Sequence, residues 1–265
     1  MNQVYNLLIV GVILLAVSCT GDSGDSGNMG YDGGGFSEGK SGSMARFCIA
    51  GDVLFTVDNS SLKTFDISDP KNPVFYKDRT QNLGFGIETI FPMDSLLFIG
   101  SQTGMHIYHI SNRQIPQYLS TATHILSCDP VVAQGNYAYV TLNSNNIWCG
   151  RNTNVLQIYD ITDLKNPEFV KEISVGFTSP MGLGIDGNKL FICDKGLRVY
   201  DITDGKSPVW IDDLHSAGVH DIGDSYDVIP INGRLILVAS SGIYQLDYTG
   251  ESLNLLSKIE ITRGN

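Results

Sequence analysis

Five segments of this chain repeat one pattern, an apolar–x–apolar–aromatic–acid core. They are Leu62–Asp66, Met105–His109, Leu156–Asp160, Leu197–Asp201 and Ile243–Asp247. The second lacks the acid and the fifth lacks the aromatic residue. Their last positions fall 43, 51, 41 and 46 residues apart. Three copies run on alike: Ile67-Ser68-Asp69 to Pro73, Ile161-Thr162-Asp163 to Pro167, and Ile202-Thr203-Asp204 to Pro208. Asp and Ser/Thr side chains bond nearby backbone N–H groups and Pro fixes φ, so this stretch predicts a tight inter-strand turn.

A second hairpin precedes each core. Val131-Val132-Ala133 turns at Gly135-Asn136 into Tyr137–Val140. The pattern recurs at Leu183–Ile192 around Gly187-Asn188 and at Ile229–Leu237 around Asn232-Gly233. Such alternating runs broken by Asn/Gly turns are strands. Past the N-terminal segment, no 11-residue stretch keeps a 3.6-residue period. Each unit therefore holds four strands, A to D. Four strands repeating at this period predict an all-β β-propeller of about five four-stranded blades.

The repeat, with its D-[IV]-[ST]-D-x-x-x-P turn, resembles that of the LVIVD-repeat family of bacterial and archaeal cell-surface proteins. The resemblance covers about residues 45–260. It implies a propeller and an envelope location, and no common enzymatic activity.

The N-terminus carries an address. Leu7–Val17 is an eleven-residue apolar run, shorter than the roughly 20 residues of a membrane-spanning helix. It ends in Ala16-Val17-Ser18-Cys19, which resembles the lipobox of bacterial lipoproteins. That resemblance implies a signal peptide over 1–18 and lipidation of Cys19. Three acyl chains at about 0.8 kcal/mol per buried CH₂ would anchor the chain firmly. Thr20–Ser43 holds nine Gly, five Ser and three Asp, too little apolar surface to fold. Residues 19–44 are expected to be the lipidated Cys and a flexible tether spanning roughly 25–30 Å, with the propeller over 45–265. Asp22 and Asp25, soon after Cys19, resemble surface-export signals. The expected location is the bacterial cell envelope, lipid-anchored, at the outer membrane and on its surface.

Charge narrows the partners. The net charge is −11, and an acidic chain gains nothing from counterion release on phosphate backbones, which excludes nucleic acid.

Residues present in most copies serve the fold, and departures from the repeat are the functional candidates. Asp66, Asp160 and Asp201, with turn partners Asp69, Asp163 and Asp204, are structural by this test. In a propeller the D-to-A connections and B-to-C loops share one face, where ligands bind. Three departures concern that face. The blade 3 B–C loop, Asn143–Asn154, is long and carries Trp148 and Arg151 among amides, suited to a sugar ring or peptide. Trp148 could instead fold back and cap the blade. The blade 4–5 connection, Asp212–Asp227, holds His215, His220, Asp221, Asp224 and Asp227, donors for a divalent cation at spacings that match no metal motif. Alignment on the A–B turns places Glu88, Asp129 and Asp227 at one position near the start of strand A in blades 2, 3 and 5, with Ala45 and Met181 in the others. Three carboxylates would then converge at the channel mouth, on a cation, a cationic ligand or water.

Cys128 and Cys149 fall on the same face of blade 3 and are placed to close a roughly 20-residue loop by a disulfide worth about 3 kcal/mol. Cys48 and Cys193, within apolar strands, read as buried thiols. Gly182-Leu183-Gly184-Ile185-Asp186-Gly187 fits G-x-G-x-x-G but runs into another strand, where a dinucleotide site needs a helix. His106 and His109 lie three apart on a strand and point to opposite faces.

The leading expectation is a membrane-anchored, non-enzymatic module that binds an extracytoplasmic glycan, peptide or protein through the loop-rich face, with no cofactor beyond a divalent cation. Rival readings are a carbohydrate-active hydrolase or lyase using the channel-mouth carboxylates, and a structural subunit of an envelope complex.

Overall fold

The computed structural model describes residues 42–124, 130–143 and 153–261. They form an all-β, five-bladed β-propeller whose blades are antiparallel sheets in sequence order. Blade 1 holds β1 (Phe47–Ala50), β2 (Val53–Val57) and β3 (Ser61–Asp66). Its fourth strand is broken into β4 (Val74–Phe75) and β5 (Gln81–Asn82), both paired with β3. Blade 2 is β6 (Ile87–Met93), β7 (Leu96–Ser101), β8 (Gly104–His109) and β9 (Gln117–Thr123). Blade 3 is β10 (Val131–Gln134), β11 (Tyr137–Leu142), β12 (Val155–Asp160) and β13 (Glu168–Ile173). Blade 4 is β14 (Leu183–Asp186), β15 (Lys189–Asp194), β16 (Gly196–Asp201) and β17 (Val209–Asp213). Blade 5 is β18 (Ser225–Ile231), β19 (Arg234–Ala239), β20 (Gly242–Asp247) and β21 (Asn254–Glu260).

The local chemistry accounts for the hairpins. Each A–B turn begins with a residue at positive φ: Gly51, Asp94, Gly135, Gly187 or Asn232. Two-residue turns that match strand twist need this left-handed backbone, which Gly, Asn and Asp supply. After four of the five C strands the repeated acid folds back on the chain. Asp66, Asp160, Asp201 and Asp247 accept the N–H of Ser68, Thr162, Thr203 and Thr249 at 2.7–2.9 Å. Asp69, Asp163 and Asp204 do the same for Lys71, Lys165 and Lys206. Hydrogen bonds from the Ser/Thr partners hold the first four carboxyls below their ordinary range. The turn acids are occupied by the turns themselves.

Packing between blades makes the core. One apolar cluster joins blades 1 and 2 through Phe55, Leu62, Ile90 and Leu97. Others join blades 2 and 3 through Phe98 and Val140, and blades 3 and 4 through Tyr139 and Leu190. The last joins blades 4 and 5 through Phe191 and Leu237. Cys48 and Cys193 are buried within these clusters, as their strands predicted. Every residue of β7 is buried, and all but the first of β11 and β15, so blades 2–4 are covered on both faces. β2 and β19 instead alternate buried residues with exposed or partly exposed ones. Among the described residues no cluster joins blade 5 to blade 1.

Ser43 and Met44, which the sequence reading assigns to the tether, are hydrogen-bonded to the blades. Ser43 is fully buried, and Ala45 accepts the N–H of Ile90 in blade 2. Residues 42–44 are part of the folded domain because blade 5 supplies polar partners for their backbone.

Candidate functional site

Three connections on one face enclose a cavity of about 490 Å³ at blade 4. Thr178 comes from the blade 3–4 connection, Asp194–Gly196 from the B–C turn, and Leu214–Gly223 from the blade 4–5 connection. This is the combination of D–A and B–C loops expected to carry a ligand.

Asp194 organises it. Its carboxylate is 3% exposed and accepts the N–H groups of Thr178 at 3.1 Å and Ser179 at 2.6 Å. It also pairs with Arg198 Nε at 3.2 Å. Arg198 donates to the Gly176 carbonyl and lies 5.3 Å over the Phe177 ring. The guanidinium is thereby fixed at the cavity wall by a buried, hydrogen-bonded acid. Lys195 and Asp224 form a 2.6 Å pair, about half exposed on both sides. Such a surface pair adds little stability, and Asp224 itself does not line the cavity.

The 214–223 segment is held by buried Leu214, Val219 and Ile222 and by one tight turn, where Val219 N–H meets the Leu214 carbonyl. Asp213 accepts from the His215 backbone at 2.8 Å and lies 3.0 Å from its Nδ1. The His215 and His220 rings stand 5.2 Å apart. Asp221 follows at φ 55° and also lines the cavity.

The remaining wall is Trp210, which sequence comparison missed because it occupies a scaffold position. In blades 1–3 the aromatic residue two places after the turn Pro packs on the C-strand aromatic: Phe75 on Phe65, Tyr118 on Tyr108, Phe169 on Tyr159. In blade 4 that C-strand aromatic, Tyr200, stacks instead with Phe177, centroids 6.3 Å apart. The β16–β17 register shifts beside the Tyr200–Trp210 pair as it does at the same place in blades 2 and 3, so the bulge belongs to the repeat and the stacking with Phe177 is what sets blade 4 apart. Trp210 is 56% exposed, as are its counterparts Tyr118 and Phe169 to within a few per cent, but here the ring lines the cavity, its Nε1 donating to the Asp212 carbonyl at 2.9 Å. The sequence signal was Phe177, whose partner cannot be read from spacing. A flat apolar indole beside a fixed guanidinium, imidazoles and carboxylates suits a polyhydroxylated ring.

The structure distributes the predicted residues. His220 and Asp221 line the cavity. Trp148, Arg151, Asp129, Cys128, Cys149 and Cys19 lie outside the described residues. The strand registers revise the channel-mouth alignment. Pairing runs from Ile87 to Thr89 past Glu88 in blade 2, and from Ser225 to Asp227 past Tyr226 in blade 5. Tyr226, not Asp227, therefore holds the position of Glu88, and a one-residue slip turns a side chain to the other face. Glu88 accepts from Gln102 Nε2 at 3.2 Å. Asp227 accepts from Val228 N–H, from the backbone N–H groups of Ser43 and Met44, and from the Ser43 hydroxyl. Leu183 N–H donates to Ser43 Oγ at 2.5 Å. Burial pushes the Asp227 carboxyl up to about 6 against the pull of these bonds. Among the described residues, no three His, Cys, Asp or Glu side chains gather as metal ligands.

No family model and no curated protein matches the sequence. Solved β-propeller structures do match. A functionally unknown protein from Desulfotomaculum acetoxidans aligns with a TM-score of 0.63 at 11% identity, over 88% of this chain and 71% of that one. AztD from Citrobacter koseri gives 0.57 at 15%, over 83% and 61%. The periplasmic gluconolactonase PpgL from Pseudomonas aeruginosa gives 0.57 at 11%, over 80% and 68%. These likenesses establish the fold alone. This chain spans about two thirds of the length of the structures it resembles.

Proposed function

We propose that this protein is a lipid-anchored envelope module that binds a glycan in the blade 4 cavity without turning it over. The observation that carries this reading is the release of Trp210 from the repeated aromatic pair. Its indole offers a stacking platform, and Arg198, His215, His220 and Asp221 supply donors and acceptors around it. Arg198 and Lys195 each already face a carboxylate, so a neutral polyhydroxylated ring fits better than a strongly charged ligand. The hydrolase alternative needs paired channel-mouth carboxylates, and Asp227 is engaged by the chain's own Ser43 and Met44. The anchor rests on Ala16-Val17-Ser18-Cys19 and the Gly-rich segment after it.

Calorimetric titration of the full chain with a glycan panel tests the reading. A ligand should bind the wild type, and Trp210→Ala should weaken it about tenfold, or 1.4 kcal/mol. Binding that survives Trp210→Ala and is lost in Trp148→Ala would move the site to the 143–154 loop and overturn the assignment. Hydrolysis of the bound glycan would overturn the non-catalytic part. Labelled palmitate should enter the wild type and not Cys19→Ser.

A further inference from the structure

Among the described residues no apolar cluster joins blade 5 to blade 1, and the faces at this seam carry partly exposed apolar rows, interrupted by Lys63 on blade 1 and Gln245 on blade 5. On blade 5 this face carries Ile229, Ile236, Val238, Ile243 and Ile259, tied into one row by the pairings Ile229–Ile236, Val238–Ile243 and Ile243–Ile259. On blade 1 it carries Phe47, Ile49, Leu54 and Phe65, through Ile49–Leu54 and Leu54–Phe65. Phe47 is 56% and Ile259 65% exposed. The Gly42–Ala45 segment reaches Asp227 and Leu183, while Phe47, Ile49 and Ile259 stay exposed.

The repeat says what these faces are built to meet. Ile236, Val238 and Ile243 hold the blade 5 positions that Phe191, Cys193 and Leu197 hold in blade 4, where the next blade buries them. Leu54 and Phe65 hold the blade 1 positions of Leu190 and Tyr200, which in blade 4 are buried against blade 3. The open face of blade 5 is thus the fifth copy of a surface that otherwise always receives a following blade. The open face of blade 1 is the fifth copy of a surface that otherwise always receives a preceding one. Each is complementary to the other by construction, continuing four interfaces already present in the chain.

We infer that this seam is a head-to-tail interface between copies of this chain, blade 5 of one molecule covering blade 1 of another. The contact is heterologous: two different surfaces meet, and each molecule offers both.

Complementation tests it. Sedimentation velocity of the full chain in non-ionic detergent, across a wide concentration range, should show association. Phe47→Glu and Ile243→Glu, both folded by circular dichroism, should each sediment as monomers. Mixed together they should form a heterodimer, because one keeps the blade 5 face and the other the blade 1 face. Ile259→Glu, at a more exposed position of the same row, replaces Ile243→Glu if that variant does not fold. A wild type that stays monomeric throughout would overturn the inference. So would association of Phe47→Glu alone, which would mean blade 5 pairing with itself. Association that survives both substitutions would assign it to other residues, such as the apolar 7–17 run.

Discussion

The Asp227 carboxylate is directed at two backbone amides and a hydroxyl of the chain's own Ser43–Met44. An internal ligand thus occupies the acid that the sequence offered for a cation. Its titration has a definite sign. Burial raises the folded value to about 6, above the unfolded 3.8, so the folded chain binds this proton more tightly. The resulting stability is full below pH 3.8 and is lost as pH rises through about 6. Over that window the loss amounts to about 3 kcal/mol at 1.36 kcal/mol per pKa unit. His106 titrates with the opposite slope, because desolvation lowers its pKa. Both effects separate when wild type and Asp227→Asn are unfolded in urea at about pH 4.5 and about pH 7, since both proteins keep His106. The wild type should lose stability relative to the variant between those values. Parallel pH profiles would mean that the carboxyl is not desolvated by Ser43 and its neighbours.

At the scale of strands, most of the architecture was legible and the fine register was not. Hairpins at Gly135-Asn136, Gly187-Asn188 and Asn232-Gly233 stand where turn chemistry placed them, because φ > 0 leaves few residue choices. The bulges at Glu88 and Tyr226 were invisible, since an extra residue in one strand leaves no mark on hydrophobic alternation. The Gly182-x-Gly184 pair shows a similar limit: it resembled part of a phosphate loop and is a packing device. A Cβ on Gly184 would stand 2.7 Å from Pro230 Cδ and 3.0 Å from the Val228 carbonyl. A Cβ on Gly182 would overlap Asp227 and meet the Tyr226 carbonyl at 2.6 Å. These glycines let β14 and β18 approach closely, and they belong to the blade 4–5 interface. Gly184→Ala should therefore cost about 1–3 kcal/mol through overpacking. Gly250→Ala, whose Cβ would meet only the Ser252 carbonyl at 3.7 Å, should stay within about 0.5 kcal/mol of wild type. Urea midpoints at constant m-value check both. A Gly184→Ala midpoint equal to that of Gly250→Ala would show that β14 and β18 can separate freely.

Across the whole molecule, the blades form a series in which each contacts its sequence neighbours. Stability in such arrays is close to a sum of unit and nearest-neighbour terms. Blades 2, 3 and 4 have two covered faces, while blades 1 and 5 have one. Sequence reasoning counted the blades because each carries a copy of the C-strand core, legible even where blade 2 lacks the acid and blade 5 the aromatic residue. It could not close or open the ring, since curvature arises from how faces tilt against each other. The unequal covering predicts unequal local opening. Amide hydrogen exchange should be fastest in β2, β3, β19 and β20 among the second and third strands, and slowest in β7, β11 and β15. Concentration separates two origins of that gradient. If a second copy covers the seam, protection of β2 and β19 rises with protein concentration while that of β11 stays fixed. In Phe47→Glu the rise disappears and the gradient remains. Uniform protection across all five blades in dilute solution would instead mean that blade 1 and blade 5 of one molecule pack together, removing the surface on which head-to-tail association depends.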